Sequence, residues 1–346
     1  KAAYIEAESQ LTGTVRATVG VRYEDATQQV RPIDLFGEGQ PLPTAAPLEN
    51  DYFLPALSLT WNFAENQQLR FGASQTIARP QFRELAPQQY LDLDSDRLVI
   101  GNPFLVDSEL VNLDLRYEWY FNAGEYFSAG LFYKDIENPV EMVLNGRSGS
   151  SWQQSFINAP AAEVLGIELD FRKYYDSPFD WAGGSRLFLG ANYTWSDSEV
   201  QVDEDDVAYT LAGNGRPQAA SELVLDGSRL QGQSEHLANL QFGIENPETG
   251  SQATLLVGYA SERINARGIN GYSPEGIVVV QPDYMQDPGT TVDLVLKKGF
   301  NLWDTDVTLS FEARNLLGEE YSEYQAFGGG RADVMRYDLG TSYSFE

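Results

Sequence analysis

The chain has 346 residues, 42% hydrophobic content, no cysteine and one histidine. The lack of cysteine excludes disulfides and thiolate metal sites, and a single histidine argues against multi-histidine metal sites and most histidine-based catalysis. A formal net charge of −28 argues against binding nucleic acid through a basic surface.

The sequence is typical of an all-β protein. No run of about 18 apolar residues is present, so no transmembrane helix is predicted. The first residues, KAAYIEAESQL, lack the apolar region of a signal peptide. The chain is rich in glycine and tyrosine and poor in helix signals.

Thirteen segments alternate apolar and polar residues with the period of a β-strand. In one of them, Val111, Leu113 and Leu115 share a face opposite Asn112 and Asp114. Most segments have ten or more residues, as a tilted membrane-spanning strand requires. The segments are 2–12, 14–28, 52–64, 68–80, 108–122, 125–143, 154–174, 186–200, 232–247, 251–266, 284–300, 304–320 and 331–345.

The connections between these segments alternate in length. Short ones such as NAGE (122–125) and NPETG (246–250) separate long ones near 29–51, 81–107, 144–153, 201–231, 267–283 and 321–330. Short turns on one side and long loops on the other are typical of outer-membrane barrels, whereas a soluble sandwich has no reason to sort its loops. We therefore predict a transmembrane antiparallel β-barrel.

The polar face of the strands carries charges that we expect to line the lumen, where they pair with one another or meet ligand. They are Arg70, Arg116, Glu118, Glu168, Arg172, Arg314 and Arg336. Barrels of this class close with an even number of strands, and thirteen is odd. We therefore expect residues 1–346 to be the C-terminal part of one larger barrel domain, with its first strands upstream. The aromatic Phe345 beside the terminus is typical of a closing strand.

Several stretches resemble the barrel of TonB-dependent outer-membrane receptors. The most specific pair is LRFGASQTIARPQFRELAP (69–87) with GNPFLVDSELVNLDLRYEWY (101–120). Further matching stretches are VGVRYEDATQQV (19–30), LFYKDIENPVEMV (131–143), GIELDFRK (166–173), EARNLLGEEYSEY (312–324) and YDLGTSYSF (337–345).

The resemblance implies a barrel of about 22 strands around a plug, of which this chain would hold the last thirteen. The lumenal charges would then contact that plug. It also implies active uptake of a scarce, bulky nutrient across the outer membrane of a Gram-negative bacterium. The inner-membrane TonB–ExbB–ExbD complex would supply energy through an N-terminal region outside this sequence. Outer-membrane lipid and lipopolysaccharide would surround the wall. An oligosaccharide or an iron chelate would be the ligand, with a slight preference for the oligosaccharide.

Loop aromatics and arginines are the candidate ligand contacts, because aromatic rings stack on sugars or aromatic chelators and arginine pairs with carboxylates. They are Arg147, Trp152, Arg267, Tyr272, Tyr321 and Tyr324. The alternative for each residue is packing within a loop or in an interfacial girdle.

Two acidic runs are weak calcium candidates, namely Asp92, Asp94 and Asp96, and the stretch Asp203–Asp206. Arg97 stands where a calcium loop would need its turn glycine, so a solvated acidic loop is the favoured interpretation. His236 is in register with Ala238 and Leu240, which places it on the apolar face near a strand end. No cofactor and no catalytic constellation are predicted. A passive channel, a surface adhesin and an outer-membrane enzyme remain as alternatives.

Overall fold

A computed structural model describes residues 1–31, 45–92, 97–148, 151–178, 183–211, 213–268, 271–272, 278–279, 281–303 and 305–346. Thirteen strands form one continuous antiparallel sheet, here called the wall. In sheet order they are β1 (Ala2–Gln10), β2 (Val15–Gln28), β3 (Leu48–Ala64), β4 (Gln67–Ala78), β7 (Ser108–Asn122), β8 (Glu125–Glu137), β11 (Ala161–Asp176), β12 (Arg186–Gln201), β15 (His236–Asn246), β16 (Ser251–Ala260), β21 (Gly289–Leu302), β22 (Thr305–Arg314) and β25 (Ser342–Phe345).

The other elements lie in the connections. They are α1 (Phe82–Leu85), a 3-10 turn (Ala220–Glu222), β5 (Gln89–Asp92), β6 (Arg97–Ile100), β9 (Val140–Ser148), β10 (Ser151–Asn158), β13 (Val207–Tyr209), β14 (Pro217–Ala219), β17 (Arg263–Ala266), β18 (Gly271–Tyr272), β19 (Val278–Val279), β20 (Tyr284–Gln286), β23 (Glu320–Phe327) and β24 (Gly330–Asp338). In the described residues, no helix is long and apolar enough to cross a membrane.

Every neighbour in the wall is antiparallel, and sequence order is kept across it. The β11–β12 pair runs without a shift from Ala161 opposite Gln201 to Asp176 opposite Arg186. This register follows from the period-two pattern, because a slip by one residue would move every apolar side chain to the polar face. The wall with thirteen strands confirms the predicted fold class. Its edges in this chain are β1 and β25.

The connections are sorted by length as the sequence predicts. Six short ones lie at one end of the wall, at 11–14, 65–66, 123–124, 177–185, 247–250 and 303–304. Six long ones lie at the other end, here named loop 1 (29–47), loop 2 (79–107), loop 3 (138–160), loop 4 (202–235), loop 5 (261–288) and loop 6 (315–341).

Several predicted strands bend where they leave the wall. Asn138 (φ 54°) precedes Pro139 at the end of β8, and Asn315 (φ 57°) follows β22. Positive φ and proline both interrupt a ladder, so the chain continues in separate sheets beyond these points. Loop sheet A contains β5, β6, β10 and β9, and loop sheet B contains β17, β20, β23 and β24.

The predicted last strand, 331–345, is in fact two strands separated by such a bend. Gly340 (φ 67°) separates β24, which belongs to loop sheet B, from β25, which pairs with β22 in the wall. Arg336 lies on β24 and pairs with Glu320 across the loop 6 hairpin. Its predicted lumenal position is therefore wrong, because alternation continues through the bend although the strand changes sheet.

The wall exposes its apolar face. Large apolar side chains stand there without protein cover, including Val19, Val21, Phe53, Trp61, Leu113, Leu115, Leu131, Leu165, Ile167, Leu240, Phe242, Leu255, Leu296 and Leu309. An apolar surface of this extent needs a non-aqueous partner. Aromatic contacts continue along the short-turn end, from Trp61–Phe63 and Phe63–Tyr117 to Trp119–Phe121 and Phe121–Phe171. This is the arrangement of an interfacial girdle.

The buried apolar clusters lie at the loop end. One contains Val143, Ile157, Ala159, Ala162, Val200 and Val224, and another contains Leu85, Val99, Leu105 and Phe156. The loops therefore pack on one another through cores of their own, which gives them a fixed arrangement at the mouth of the wall.

Candidate functional site

Loop 2 is anchored at both ends to the wall. Arg79 Nη1 donates to Glu24 Oε2 at 2.9 Å, which ties the start of the loop to β2. Asp107 at the end of the loop accepts from the Tyr52 hydroxyl at 3.0 Å and from Asn50 Nδ2 at 3.1 Å, both on β3. The loop therefore begins against β2 and ends against β3, which are neighbouring strands of the wall.

A close backbone contact within loop 2 joins its ARP and GNP stretches. The backbone N–H of Gly101 donates to the carbonyl of Ala86 at 3.0 Å, and a Cβ at Gly101 would lie 2.3 Å from that oxygen. Only glycine allows this approach. The buried Asn102 side chain donates to the carbonyls of Phe156 and Tyr209 at 2.8 and 2.7 Å, so it links loop 2 to loops 3 and 4.

Two buried arginine–carboxylate clusters link the loops, and we call them clamps. The first clamp is centred on Arg267 of loop 5, which is 1% exposed. Nε and Nη2 donate to Glu141 at 2.6 and 2.9 Å in a bidentate pair. Nη1 donates to Asp283 and to the Ser228 hydroxyl, each at 3.1 Å, and Nη2 also donates to the Arg229 carbonyl at 2.5 Å. These bonds use all five guanidinium N–H groups and connect loops 3, 4 and 5.

The second clamp joins Arg97 of loop 2 to Glu323 of loop 6, 226 positions apart in sequence. Arg97 Nη1 and Nη2 donate to the two Glu323 oxygens at 2.9 and 2.7 Å, and both residues are buried. Asn265 Nδ2 donates to the same carboxylate at 3.1 Å. The Arg97 guanidinium also lies 5.2 Å from the centre of the Tyr284 ring. This clamp therefore unites loops 2, 5 and 6.

Gln231 connects the two clamps. Its Nε2 donates to the Asn265 carbonyl, and its backbone N–H donates to Glu141 at 3.2 Å. Its side-chain oxygen accepts from the Met142 N–H at 2.5 Å. Because Asn265 also bonds Glu323, one polar network extends across loops 2 to 6.

The electrostatics of this network follow from burial and pairing. Desolvation lowers the pKa of Arg267, but its bonds to Glu141 and Asp283 outweigh that effect, so its pKa is raised overall. Burial, reinforced by the bond to Glu262, raises the pKa of Tyr324 to about 12. Burial, with Glu323 nearby, raises the pKa of Tyr321 to about 12. The arginine stays charged and both tyrosines stay neutral at physiological pH.

The predicted ligand contacts fall into two groups. Arg267 and Tyr324 are buried within the loop network, and Tyr321 stacks on Tyr337 with ring centres 4.8 Å apart. In this conformation Arg267 has no free donor, so its predicted ligand contact gives way to a structural role. Arg147 and Trp152 are opposite one another in the β9–β10 hairpin, and Tyr272 is opposite Val278.

The predicted lumenal charges lie on the polar face, with the exception of Arg336. Arg70 and Arg116 are directly opposite on β4 and β7, and Glu118 lies 3.4 and 3.3 Å from their guanidinium groups. Arg314 pairs with Glu312 at 2.8 Å. Glu168 faces Gly130, and Arg172 faces Tyr126. Ion pairs within the wall account for the charges of Arg70, Arg116, Glu118 and Arg314. Contact of any of these charges with a plug stays a prediction.

The weak metal candidates receive no support from the geometry of the described residues. No cluster of three or more acidic or histidine side chains there is arranged to hold a metal ion. Asp94 and Asp96 lie outside those residues. His236 stands on the apolar face, as its register predicts, where its Nδ1 lies 2.9 Å from the Tyr193 hydroxyl.

Sequence reasoning missed the acidic partners of both clamps and the role of Arg97. Glu141 and Glu323 look like ordinary polar positions of alternating strands. Their partners lie 126 and 226 positions away, so no local pattern could have identified them. An arginine next to the apolar run LVI at 98–100 was the one local signal for Arg97.

Comparison with known proteins agrees with this geometry. The family model described as TonB dependent receptor-like, beta-barrel matches residues 1–316. A search of curated proteins by sequence found no match.

Three solved structures illustrate the similarity in fold. The ferric yersiniabactin uptake receptor FyuA of Yersinia pestis has a TM-score of 0.56 at 15% identity, over 96% of this chain and 43% of that one. The siderophore receptor PirA of Pseudomonas aeruginosa has a TM-score of 0.52 at 13% identity, over 100% and 48%. A variant of the ferric enterobactin receptor PfeA of Pseudomonas aeruginosa, in complex with enterobactin, has a TM-score of 0.56 at 15% identity, over 99% and 44%. The chain thus spans less than half the length of each.

Proposed function

Since the chain belongs to the TonB-dependent receptor-like β-barrel family, we propose that it is the C-terminal part of the barrel of an outer-membrane uptake receptor. The observation that carries this proposal is the wall itself. Thirteen antiparallel strands, eleven of them with ten or more residues, expose an apolar face, and all six long connections lie at one end. The apolar face would contact lipid, and the long loops would stand outside the cell.

The loop network fits the entrance of such a receptor. Two buried clamps hold loops 2 to 6 in a defined arrangement, so a ligand would meet a preorganised surface. Preorganisation reduces the ordering cost of binding. The charged polar face of the wall would enclose a plug, and TonB with ExbB and ExbD would act on a part of the receptor outside these 346 residues. No catalytic role is proposed.

A ferric chelate is the ligand class that we propose first. The solved structures named above are, by their descriptions, receptors for ferric chelates or siderophores. The slight preference of the sequence motifs for an oligosaccharide has no support from these structures. An oligosaccharide therefore becomes the competing ligand in the test.

The test is uptake by cells that express the full-length receptor. We expect accumulation of radiolabelled ferric chelate that requires TonB and is not reduced by excess oligosaccharide. Accumulation that continues without TonB would indicate a passive channel. Binding of the ligand to the cell surface without accumulation, in cells with TonB and in cells without it, would indicate an adhesin. Labelled oligosaccharide accumulating in place of the chelate would refute the ligand class and leave the transport mechanism standing.

A further inference from the structure

Two phenylalanines on the polar face of the wall stand directly opposite glycines. Phe132 of β8 is opposite Gly166 of β11. Phe188 of β12 is opposite Gly243 of β15. Phe132 also has Asp114 on its other side, so its ring belongs to the face that carries the lumenal charges. In β-strands side chains ordinarily stand roughly perpendicular to the sheet, and an apolar ring in that orientation would project into the lumen.

The rings instead lie against the two glycines. A Cβ at Gly166 would lie 2.7 Å from Phe132 Cε1, and a Cβ at Gly243 would lie 2.6 Å from Phe188 Cε1. Both distances are well inside carbon–carbon contact, so each ring fills the space that a side chain would take. Both glycines are buried and Phe188 is 7% exposed, as expected for a ring that lies flat on the sheet.

This pairing offsets a cost of each residue type. Glycine weakens the interior of a strand because it has no side chain to pack. Phenylalanine on a polar face would leave the apolar area of its ring in water. A ring laid over a glycine buries that area and covers the bare backbone, as in the aromatic rescue of glycine. The arrangement occurs twice, in the β8–β11 and the β12–β15 pairs, which indicates a repeated feature of the wall.

A second contact also restricts both glycine positions. A Cβ at Gly166 would lie 2.5 Å from the Trp195 carbonyl oxygen, and a Cβ at Gly243 would lie 2.5 Å from the Ala253 carbonyl oxygen. The ring and the neighbouring carbonyl are therefore two separate reasons for glycine.

Gly72 of β4 provides a comparison on the same face. It is opposite Asp114, and a Cβ there would lie 3.7 Å from Asp114 Cβ. This is an ordinary contact distance, so alanine would fit at Gly72.

We propose that Gly166 and Gly243 are seats that hold the Phe132 and Phe188 rings flat against the wall and thereby keep the lumen clear for the plug. This role rests on the proposed function, which places the polar face of the wall around a plug. With alanine in a seat, the ring would leave the sheet and stand in the space that the plug fills. The two glycines are therefore positioning residues, which act on transport through the rings beside them.

The test compares four variants of the full-length receptor, namely Gly166→Ala, Phe132→Ala, both changes together, and Gly72→Ala as the matched control. Folding is measured as the temperature at which the folded band is lost in heat-modifiable gel electrophoresis. Transport is measured as chelate uptake per folded receptor. We expect Gly166→Ala to unfold at a lower temperature, because overpacking destabilises the barrel, and to lose most of its uptake. Phe132→Ala, Gly72→Ala and the double variant should take up chelate as the unmodified receptor does.

Uptake that stays low in the double variant would overturn the proposal, because the Trp195 carbonyl would then be the reason for glycine. Unchanged uptake in Gly166→Ala would overturn it as well. If Gly166→Ala yields no folded band, return of the band in the double variant supports the seat, and its continued absence opposes it. The same set of variants at Gly243 and Phe188 tests the second seat.

The folding measurement separates the seats from the proposed function. An unmodified receptor without uptake would refute the function. The seat would still be supported if alanine at position 166 lowered the unfolding temperature less in the absence of the Phe132 ring than in its presence. An equal decrease in both backgrounds would show that the ring and the glycine are independent, which would refute the seat.

Discussion

Removing one partner of the second clamp should release the loops without unfolding the wall. In Glu323→Leu, Arg97 keeps its charge in a position where its side chain is 4% exposed, and both strong N–H···O bonds are lost. Breaking a buried pair in this way costs about 3–5 kcal/mol. The wall does not depend on this contact, because its strands pair through their own ladders.

The assay is amide hydrogen exchange on the full-length receptor, resolved by segment. Local opening of loops 2, 5 and 6 is governed by the free energy that the clamp supplies. A loss of about 3 kcal/mol corresponds to roughly 100-fold faster exchange. We expect this increase at residues 97–100, 263–266 and 320–325, with the wall strands unchanged.

Two further variants decide whether the buried charge is the cause. Glu320 lies on β23, as Glu323 does, and is the exposed partner of Arg336. Glu320→Leu should change the exchange rate little, because exposed ion pairs contribute little to stability. Arg97→Met combined with Glu323→Leu should restore slow exchange, because no unpaired charge remains. Fast exchange in Glu320→Leu, or no recovery in the double variant, would refute the reasoning.

Three other outcomes are expected. Gly101→Ala should make loop 2 sensitive to limited proteolysis because its Cβ would lie 2.3 Å from a carbonyl oxygen, whereas Gly13→Ala, with no atom within 4 Å, should not; equal sensitivity would contradict the close-contact argument. Tyr321 and Tyr324 have pKa values raised to about 12, so folding binds their protons more tightly and the loops should lose stability as pH rises from about 10 to 12. In an ultraviolet titration, Tyr324→Phe should lower the tyrosinate absorbance only near pH 12 and leave it unchanged near pH 10. A lower tyrosinate absorbance of the variant near pH 10 would contradict the burial of Tyr324. The intact mass of the native polypeptide should be about twice 38.5 kDa, and a mass equal to 38.5 kDa would contradict the proposal that this chain is part of a larger barrel.

The wall could be predicted from sequence because its information is local. Each strand shows its two faces through alternation, and each short turn joins neighbours, so Val111 to Phe121 and Leu165 to Phe171 identify their own faces. The prediction failed at the bends. Near Gly340 the alternation continues while the strand passes from loop sheet B to the wall, and period alone does not record that change.

The loop contacts could not be predicted in the same way because they join distant positions. An arginine such as Arg267 is equally suitable for a ligand carboxylate and for Glu141, and the choice depends on which group the fold brings within 2.6 Å. Tyr324 shows the same limit, since its ring and hydroxyl are occupied by Arg331 and Glu262. The residue types of Arg267 and Tyr324 predicted that these side chains form specific contacts, but they did not predict which groups they contact.

The motifs that revealed the family are themselves joints of the loop network. Arg79 of the ARP stretch binds Glu24, Gly101 of the GNP stretch permits the contact with Ala86, and Asn102 holds loops 3 and 4. Such positions tolerate few residue types because geometry restricts them, so they form recognisable patterns. They serve the scaffold and leave the ligand open. These stretches therefore predicted the family and the fold. They did not predict the ligand, because their side chains bind other parts of the loops and the wall.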